Sequence, residues 1–182
     1  MTKLLLDELV RKIAFEDDMN SYEELYHSMF NSLFSIAFSI VKNRETAEEI
    51  VSDVFLKIWQ LRKKLAATEE VQLYIFRMAR NQALTEITKW DNKRTVDIST
   101  VQEEPFLFLD NPEHKLISSE LQARLTLAIQ QLPAQCQLIF QLVKEEGLRY
   151  KQVAEILDLS VNTVRNQLSI AIKKLYEQLA EK

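Results

Sequence analysis

The chain has 182 residues, enough for one large or two small domains, and its hydrophobic content of 47% is enough to form buried cores. A single glycine and three prolines leave little material for β-hairpins, which favours an all-α protein. The net charge of −4 argues against a free-standing protein that binds DNA tightly, because attraction to phosphate supplies most non-specific affinity. With one cysteine (Cys136), no signal-peptide layout and no apolar run long enough for a bilayer, we expect a soluble, cytoplasmic protein.

Hydrophobic periodicity predicts four helices in the first half of the chain. Their predicted bounds are 4–15, 22–41, 46–61 and 71–90. Ser21 with Glu24, and Thr46 with Glu49, predict capping boxes that open the second and third helices. The second helix also carries an aromatic stripe at four-residue intervals, which we assign to the core. The stripe consists of Tyr22, Tyr26, Phe30, Phe34 and Phe38.

Two of these helices carry polar faces of different character. The face predicted to point outward from the helix at 46–61 has mixed charge and includes Glu48, Glu49, Asp53, Lys57 and Gln60. On the helix at 71–90, cations, an amide and hydroxyls fall together on one face at about 100° per residue. This face comprises Arg77, Arg80, Asn81, Leu84, Thr85 and Thr88. Residues 77–94 hold five cations against two acids, so this surface is locally basic.

An acidic segment separates the two halves of the chain. Residues 95–112 contain four acids, no cation, two prolines and no apolar periodicity, so we predict a linker. Helices are predicted again at 115–131 and 133–146, with Pro133 in the first turn of the latter and Gly147 at its C′ position. The predicted division is therefore a domain at 1–94, an acidic linker at 95–114 and a domain at 115–182.

The segment at 147–168 predicts a helix-turn-helix, with a first helix at 150–157 and a turn at Asp158 and Leu159. Ser160 is expected to cap a second helix whose apolar residues recur at three- and four-residue spacing. Its opposite face carries Asn162, Thr163, Arg165, Asn166, Gln167 and Ser169. An ordinary helical hairpin would also have a solvated polar face. Amides and hydroxyls are poor helix formers, however, so this face favours contacts to base edges and phosphates.

Three stretches, taken together and in order, resemble the extracytoplasmic-function (ECF) group of bacterial RNA polymerase sigma factors. They are AEEIVSDVFLKIW at 47–59, YIFRMARN at 74–81, and LP at 132–133 followed by EGLRYKQVAEIL at 146–157. The resemblance covers roughly residues 22–179. It implies an all-α protein of two small helical domains that binds core polymerase, recognises the −10 and −35 promoter elements and promotes initiation. It also implies no catalytic activity, no cofactor and no metal.

The resemblance assigns roles to the polar faces. Glu48, Glu49, Asp53, Lys57 and Gln60 correspond to the contact with core polymerase. Arg77, Arg80, Asn81, Thr85 and Thr88 correspond to the part that holds the melted −10 strand. The residues that correspond to the contact with the duplex −35 element are Arg149, Ser160, Asn162, Thr163, Arg165, Asn166, Gln167, Ser169, Ile170 and Lys173. The implied partners are core polymerase (its clamp coiled coil and flap), promoter DNA and an anti-sigma factor, without insertion in a membrane.

Four positions depart from the family's pattern. Thr85 and Thr88 stand where an acid and a cation are usual, and Gln137 stands where an arginine is usual. Ile170 replaces a common cation in the second helix of the motif. An exposed isoleucine there suggests either contact with a thymine methyl group or packing on a neighbour.

Two other function classes remain as alternatives. A stand-alone helix-turn-helix regulator would use its N-terminal half to dimerise or to sense a ligand, and would bind a palindrome alone. An enzyme is disfavoured because the chain has no glycine-rich phosphate loop and no metal-ligand spacing. His27, His114 and Cys136 are also isolated from one another in the sequence.

Overall fold

The computed structural model describes residues 3–93 and 119–180, which belong to two compact units. The N-terminal unit consists of α1 (Lys3–Glu16), α2 (Met19–Val41), α3 (Arg44–Gln60), the short α4 (Arg62–Leu65) and α5 (Val71–Lys93). The C-terminal unit consists of α6 (Ser119–Gln130), α7 (Ala134–Phe140) with a π-helical turn (Gln141–Glu145), α8 (Tyr150–Leu157) and α9 (Val161–Ala180). Helices are the only regular elements in these two ranges, so the all-α prediction is confirmed. The predicted linker lies outside them.

Helix α2 is the centre of the N-terminal unit and packs against α1, α3 and α5. Its deepest side chains are fully buried and follow helical spacing: Leu25, Met29, Leu33, Ile36 and Ala37. Helix α5, which packs on α2, contributes Ile75, Phe76, Ala79 and Ala83, which are also fully buried. Because two helices bury apolar stripes on the same central helix, the outward faces of α3 and α5 are fixed in orientation.

The aromatic stripe of α2 is only partly core, so the core assignment was wrong for its first three rings. Phe34 and Phe38 are buried, whereas Tyr22, Tyr26 and Phe30 are half-buried. The aromatic stripe lies beside the fully buried side chains of α2 and packs toward α3. The ring centroids of Tyr26 on α2 and Phe55 on α3 are 4.6 Å apart. Tyr22 Oη donates to the carbonyl of Phe55 at 2.9 Å, and burial raises the pKa of this phenol.

The two predicted capping boxes were also wrong. Asp18 Oδ1 accepts a hydrogen bond from Asn20 N–H at 3.0 Å, and Asn43 Oδ1 accepts one from Thr46 N–H at 2.9 Å. Asp18 and Asn43 have the extended backbone that an N-cap needs, whereas Ser21 and Thr46 are already helical. Ser21 donates instead to Asp18 Oδ2 at 2.6 Å, and this bond is the main reason why the pKa of Asp18 is lowered.

Arg62 joins the turn between α1 and α2 to the last turn of α3. Its guanidinium lies 4.6 Å from the ring centroid of Trp59 and donates to Asp17 Oδ1 at 2.9 and 3.0 Å. It also donates to the carbonyl of Trp59 at 3.0 Å, in the last turn of α3, where a cation is favoured by the helix dipole. Asp17 has a left-handed backbone (φ 50°) at the turn between α1 and α2.

In the C-terminal unit, α9 packs against α6, α7 and α8. One cluster of buried side chains joins the first two of these helices to α9. It consists of Ala128, Ile129, Leu132, Cys136, Ala171 and Leu175, with Phe140 at its edge. A second part of the core joins α8 to α9 through Val153, Ile156, Val164 and Leu168, all of them buried.

The helix that starts after Pro133 ends where predicted, but its last turn is π-helical and therefore wider than an α-helical turn. Gln141–Glu145 is π-helical, and Glu146 N–H donates to the carbonyl of Gln141 at 3.1 Å. Gly147 then takes a left-handed conformation (φ 69°), which a side chain would strain, and Leu148 N–H reaches the carbonyl of Leu142 at 3.0 Å. The predicted stop at Gly147 is confirmed, whereas the π turn was not predicted.

The helix-turn-helix is confirmed, with α8 at its predicted bounds. Asp158 has a left-handed backbone (φ 56°, ψ 46°), and Leu159 N–H donates to the carbonyl of Ala154 at 2.9 Å. Ser160 Oγ accepts from Thr163 N–H at 3.0 Å and so caps α9 as predicted. None of the helices in the described ranges combines the length and the hydropathy that crossing a membrane would require.

The Asn43 cap generates a stability prediction. Asn43→Ala should lower the free energy of unfolding of the N-terminal unit by about 1 kcal/mol, because the N–H of Thr46 loses its acceptor. Urea unfolding followed by tryptophan fluorescence measures this unit alone, because both tryptophans, Trp59 and Trp90, belong to it. Asn20→Ala is the control, since the exposed Asn20 contributes its backbone N–H to its cap. Equal losses in the two variants would contradict the capping role.

Candidate nucleic-acid and polymerase interfaces

The outward face of α3 is a straight line of exposed side chains. Glu49, Asp53, Leu56 and Gln60 recur at spacings that place them on one side of a helix, and all four are exposed. Glu48, at the edge of this line, is half-buried and pairs with Arg44 at 2.9 Å. Of the five residues predicted for polymerase contact, Glu49, Asp53 and Gln60 therefore lie on this line, whereas the half-buried Glu48 and Lys57 lie at its two opposite edges.

Leu56 belongs to this face and was missed by the sequence prediction. Its side chain is 59% exposed, although it is apolar and flanked by charged residues on the same helix. The signal was present in the sequence, because Leu56 follows Glu49 by seven residues and so falls on the outward side. Single exposed apolar side chains are common on protein surfaces, so Leu56 gains significance only from its place on the polar face of α3.

Asp53 and Lys57 are linked to α5 through one amide. Lys57 Nζ donates to Gln82 Oε1, and Gln82 Nε2 donates to Asp53 Oδ2 at 3.1 Å. Gln82 is half-buried on α5, whereas its neighbour Asn81 is exposed. The sequence prediction gave Gln82 no role, because its contacts join residues that are far apart in the chain.

The residues predicted to form the polar face of α5 do lie on its outward side. Asn81, Thr85 and Thr88 are exposed, and Arg77 and Arg80 are half-buried beside them. The hydroxyls of Thr85 and Thr88 donate to the carbonyls of Asn81 and Leu84, at 2.8 and 2.9 Å. Since the threonine donors are used within the helix, these two side chains present oxygen acceptors and methyl groups outward, and Asn81 presents the amide.

The α9 face carries exposed amides and cations on one line. Asn162, Asn166, Ile170 and Lys173 recur at spacings that place them on one side of the helix, and Arg165 and Ser169 are exposed beside them. Ser169 Oγ donates to the carbonyl of Arg165 at 3.0 Å. Lys173 Nζ lies 3.8 Å from the carboxylate of Glu177. Ile170 is 44% exposed, so this position holds an apolar side chain within a polar surface.

Four residues predicted for duplex contact also take part in hydrogen bonds within the C-terminal unit. Ser160 caps α9 through the N–H of Thr163, and the two hydroxyls lie 2.8 Å apart. Gln167 is half-buried, and Cys136 Sγ donates to its Oε1 at 2.9 Å. Burial raises the pKa of the Cys136 thiol, which keeps it in the form that can donate this bond. Arg149 stands exposed just before α8, where its backbone N–H donates to Gln152 Oε1 at 2.9 Å.

The departures from the family's pattern fall in different environments. Gln137 is 1% exposed within α7, so the change at this position lies in the interior of the C-terminal unit. Thr85, Thr88 and Ile170 are exposed on the two polar faces. Those three positions can therefore change a contact with a partner directly, whereas Gln137 cannot.

The isolated histidine and cysteine have structural or solvated surroundings. His27 Nε2 lies 3.7 Å from Glu23 on an exposed side of α2. Cys136 is bound to Gln167, and His114 lies outside the described residues. In residues 3–93 and 119–180, no three acidic, histidine or cysteine side chains come together in a way that could hold a metal ion.

Comparison with known proteins matches the two units separately. A family model described as sigma-70 region 2 matches residues 25–94, and one described as sigma-70 region 4 matches residues 122–175. The RNA polymerase sigma-H factor of Pseudomonas aeruginosa is 23% identical over 136 residues, covering 70% of each chain. The ECF RNA polymerase sigma-E factor of Haemophilus influenzae is 25% identical over 137 residues, covering 69% of this chain and 70% of that protein.

A solved structure shares the fold. It is the sigma factor RpoE of Bartonella quintana in complex with the anti-sigma factor NepR. The structural match covers 88% of this chain and 98% of the RpoE chain, with a TM-score of 0.51 and 21% sequence identity.

Proposed function

The chain belongs to the extracytoplasmic-function group of RNA polymerase sigma factors, and we propose that three of its helices divide the work of promoter recognition. Helix α9 contacts the duplex −35 element, α5 holds the melted −10 strand, and α3 docks on core polymerase. Sigma factors are initiation factors, and we assign no covalent step to any residue of this chain. Its place of action is then the cytoplasm, where polymerase meets promoter DNA.

The observation that carries the proposal is the composition of the exposed α9 face. Between Ser160 and Leu175 the helix has three cations and no acid, and its outward line holds Asn162 and Asn166. Side chains of these types bond base edges and phosphates in a major groove. We assign base contacts to the exposed Asn162, Arg165 and Asn166, and a phosphate contact to Lys173. Ser160 and Gln167 then act mainly by fixing the helix.

The α5 face suits a single strand better than a duplex. Proteins that hold melted DNA combine cations along the backbone with a surface that accepts unstacked bases. Arg77 and Arg80 supply the cations, and the exposed amide of Asn81 can bond the edge of a base. Thr85 and Thr88 extend this face with hydroxyl oxygens and methyl groups, so we expect weaker charge attraction there than a cation would give.

The α3 face suits a protein partner. An apolar side chain surrounded by charges has the layout of an interface in which one anchor is buried and the rim stays solvated. We therefore assign Leu56 as the anchor for core polymerase, flanked by Glu49, Asp53 and Gln60. Because RpoE of Bartonella quintana was solved with an anti-sigma factor, we further propose an anti-sigma partner that competes for this face.

The anchor can be tested by truncation. Leu56→Ala should raise the Kd for core polymerase about tenfold, which corresponds to ~1.4 kcal/mol, because the apolar contact is lost. Leu4→Ala is the matched control, since Leu4 is 84% exposed on α1, away from the proposed face. Competition binding against a labelled sigma factor measures both. Equal affinities for Leu56→Ala and Leu4→Ala would remove Leu56 from the interface.

The division between two promoter elements predicts separable defects. Arg165→Ala should weaken binding of the holoenzyme to the duplex −35 element by about 1–3 kcal/mol if Arg165 bonds a guanine. Asn81→Ala should leave that binding intact and reduce the permanganate reactivity of −10 thymines, which measures strand opening. Arg11→Ala, which removes an exposed arginine of α1 outside both proposed DNA contacts, should change neither step. Loss of both steps in either mutant would count against separate sites.

Ile170 predicts sensitivity to a single methyl group. Replacing one thymine of the −35 element by deoxyuridine should weaken binding by wild-type holoenzyme about fourfold, the value of one buried methyl. In Ile170→Ala holoenzyme the same replacement should have no effect, because the methyl has lost its apolar neighbour. Ser169→Ala should keep the sensitivity of the wild type. If no thymine position distinguishes wild type from Ile170→Ala, Ile170 does not contact a methyl group.

A further inference from the structure

Gln82 has contacts that no assigned role explains. Its amide oxygen accepts from Lys57 Nζ, and its amide nitrogen donates to Asp53 Oδ2 at 3.1 Å. A glutamine is suited to this pair of partners because its tip carries a donor and an acceptor side by side. One half-buried side chain of α5 therefore binds an acid and a base of α3 at the same time.

The arrangement differs from the one that α3 could form alone. Asp53 and Lys57 are four residues apart with opposite charges, a spacing at which side chains on an isolated helix pair with each other. Here Gln82 lies between them, so the tips of Asp53 and Lys57 are held toward α5. Both are still accessible to a partner, since Asp53 is exposed and Lys57 is half-buried.

Holding these side chains changes the cost of docking. Long side chains lose conformational freedom when an interface forms, and a side chain that is already held loses less. Lysine has four rotatable bonds in its stem, so its ordering costs more than that of a short side chain. A hydrogen bond from the ammonium to Gln82 restricts Lys57 before the partner arrives, and the bond from the Gln82 amide does the same for Asp53.

We propose that Gln82 is a positioning residue for polymerase docking, which holds Asp53 and Lys57 in the orientation that core polymerase binds. The proposal rests on the role given above to the α3 face. Gln82 acts through these two side chains and does not itself contact polymerase. It lies one residue from Asn81, so the helix that holds the melted strand also orders the docking face.

The test removes the amide and keeps the volume. Gln82→Met should raise the Kd of the full-length protein for core polymerase about three- to tenfold, the range expected for releasing one or two ordered side chains. In the double mutant Asp53→Ala/Lys57→Ala, the same Gln82→Met change should have no further effect. Gln72→Met, a half-buried glutamine elsewhere on α5, is the matched control and should bind as wild type does.

A second pair of variants keeps the test valid if Gln82→Met unfolds. Gln82→Glu places a carboxylate beside Asp53 and removes the donor, so it should also weaken docking. Adding Asp53→Asn to Gln82→Glu restores the hydrogen bond with the roles exchanged, because the amide of residue 53 now donates to the carboxylate of residue 82. The affinity of this double variant for core polymerase should return to within about twofold of that of Asp53→Asn alone. Thermal unfolding of each variant separates this effect from loss of the fold.

The outcomes are distinguishable. If Gln82→Met weakens docking equally in the wild-type and the Asp53→Ala/Lys57→Ala backgrounds, Gln82 acts through general stability and the inference fails. If Asp53→Ala/Lys57→Ala weakens docking while neither Gln82→Met nor Gln82→Glu does, the inference fails and the proposed docking face stands. If Asp53→Ala/Lys57→Ala and Leu56→Ala both leave docking unchanged, the proposed face itself is wrong, and the positioning role falls with it.

Discussion

Burial of one stripe of α9 is the interaction on which the proposed DNA-contacting surface depends. Val164 and Ala171 are fully buried, and Leu168 and Leu175 nearly so, against helices of the same unit. Because an α-helix has 3.6 residues per turn, fixing this stripe fixes the direction of every side chain on the opposite side. The left-handed turn at Asp158 sets where the helix begins. The same rule operates in α3 and α5, whose buried stripes on α2 leave one polar face each. The protein therefore presents its contacts on helices that the core holds in place.

The charge of the chain fits this layout. A net charge of −4 gives little attraction to DNA at long range, yet residues 77–94 and the segment from Ser160 to Leu175 are each locally basic. We therefore expect this protein to bind promoter DNA well only when a larger partner brings both surfaces to it. We propose that the α3 face, with Leu56 among charged side chains, supplies the contact for that partner. A stand-alone helix-turn-helix regulator, the alternative that the sequence left open, would need neither this face nor a second basic surface.

The sequence predicted elements whose signals are local, and missed those that depend on packing. The turn at Asp158 and the cap at Ser160 were predicted because left-handed backbone and N-capping are properties of single residues and their neighbours. The cap at Asn43 was missed since Thr46 and Glu49 formed an equally good motif three residues later, and only the backbone conformation decides between them. Gln82 was missed because its partners, Asp53 and Lys57, lie far away in sequence and become neighbours only when α5 packs on α3. The site residues stay predictions in their roles, although their exposure and register are now defined.

The most direct test of the account is transcription by core polymerase with and without the purified protein, on genomic DNA fragments from the source organism. The account predicts a set of promoter-specific transcripts that appear only when core polymerase and the protein are both present. Neither component alone should start them, because the helices that contact promoter DNA act only when α3 is docked on core polymerase. If core polymerase plus the protein starts no new transcript, while the protein alone shifts a palindromic duplex, the protein would be a regulator that binds DNA independently, and the account would be contradicted.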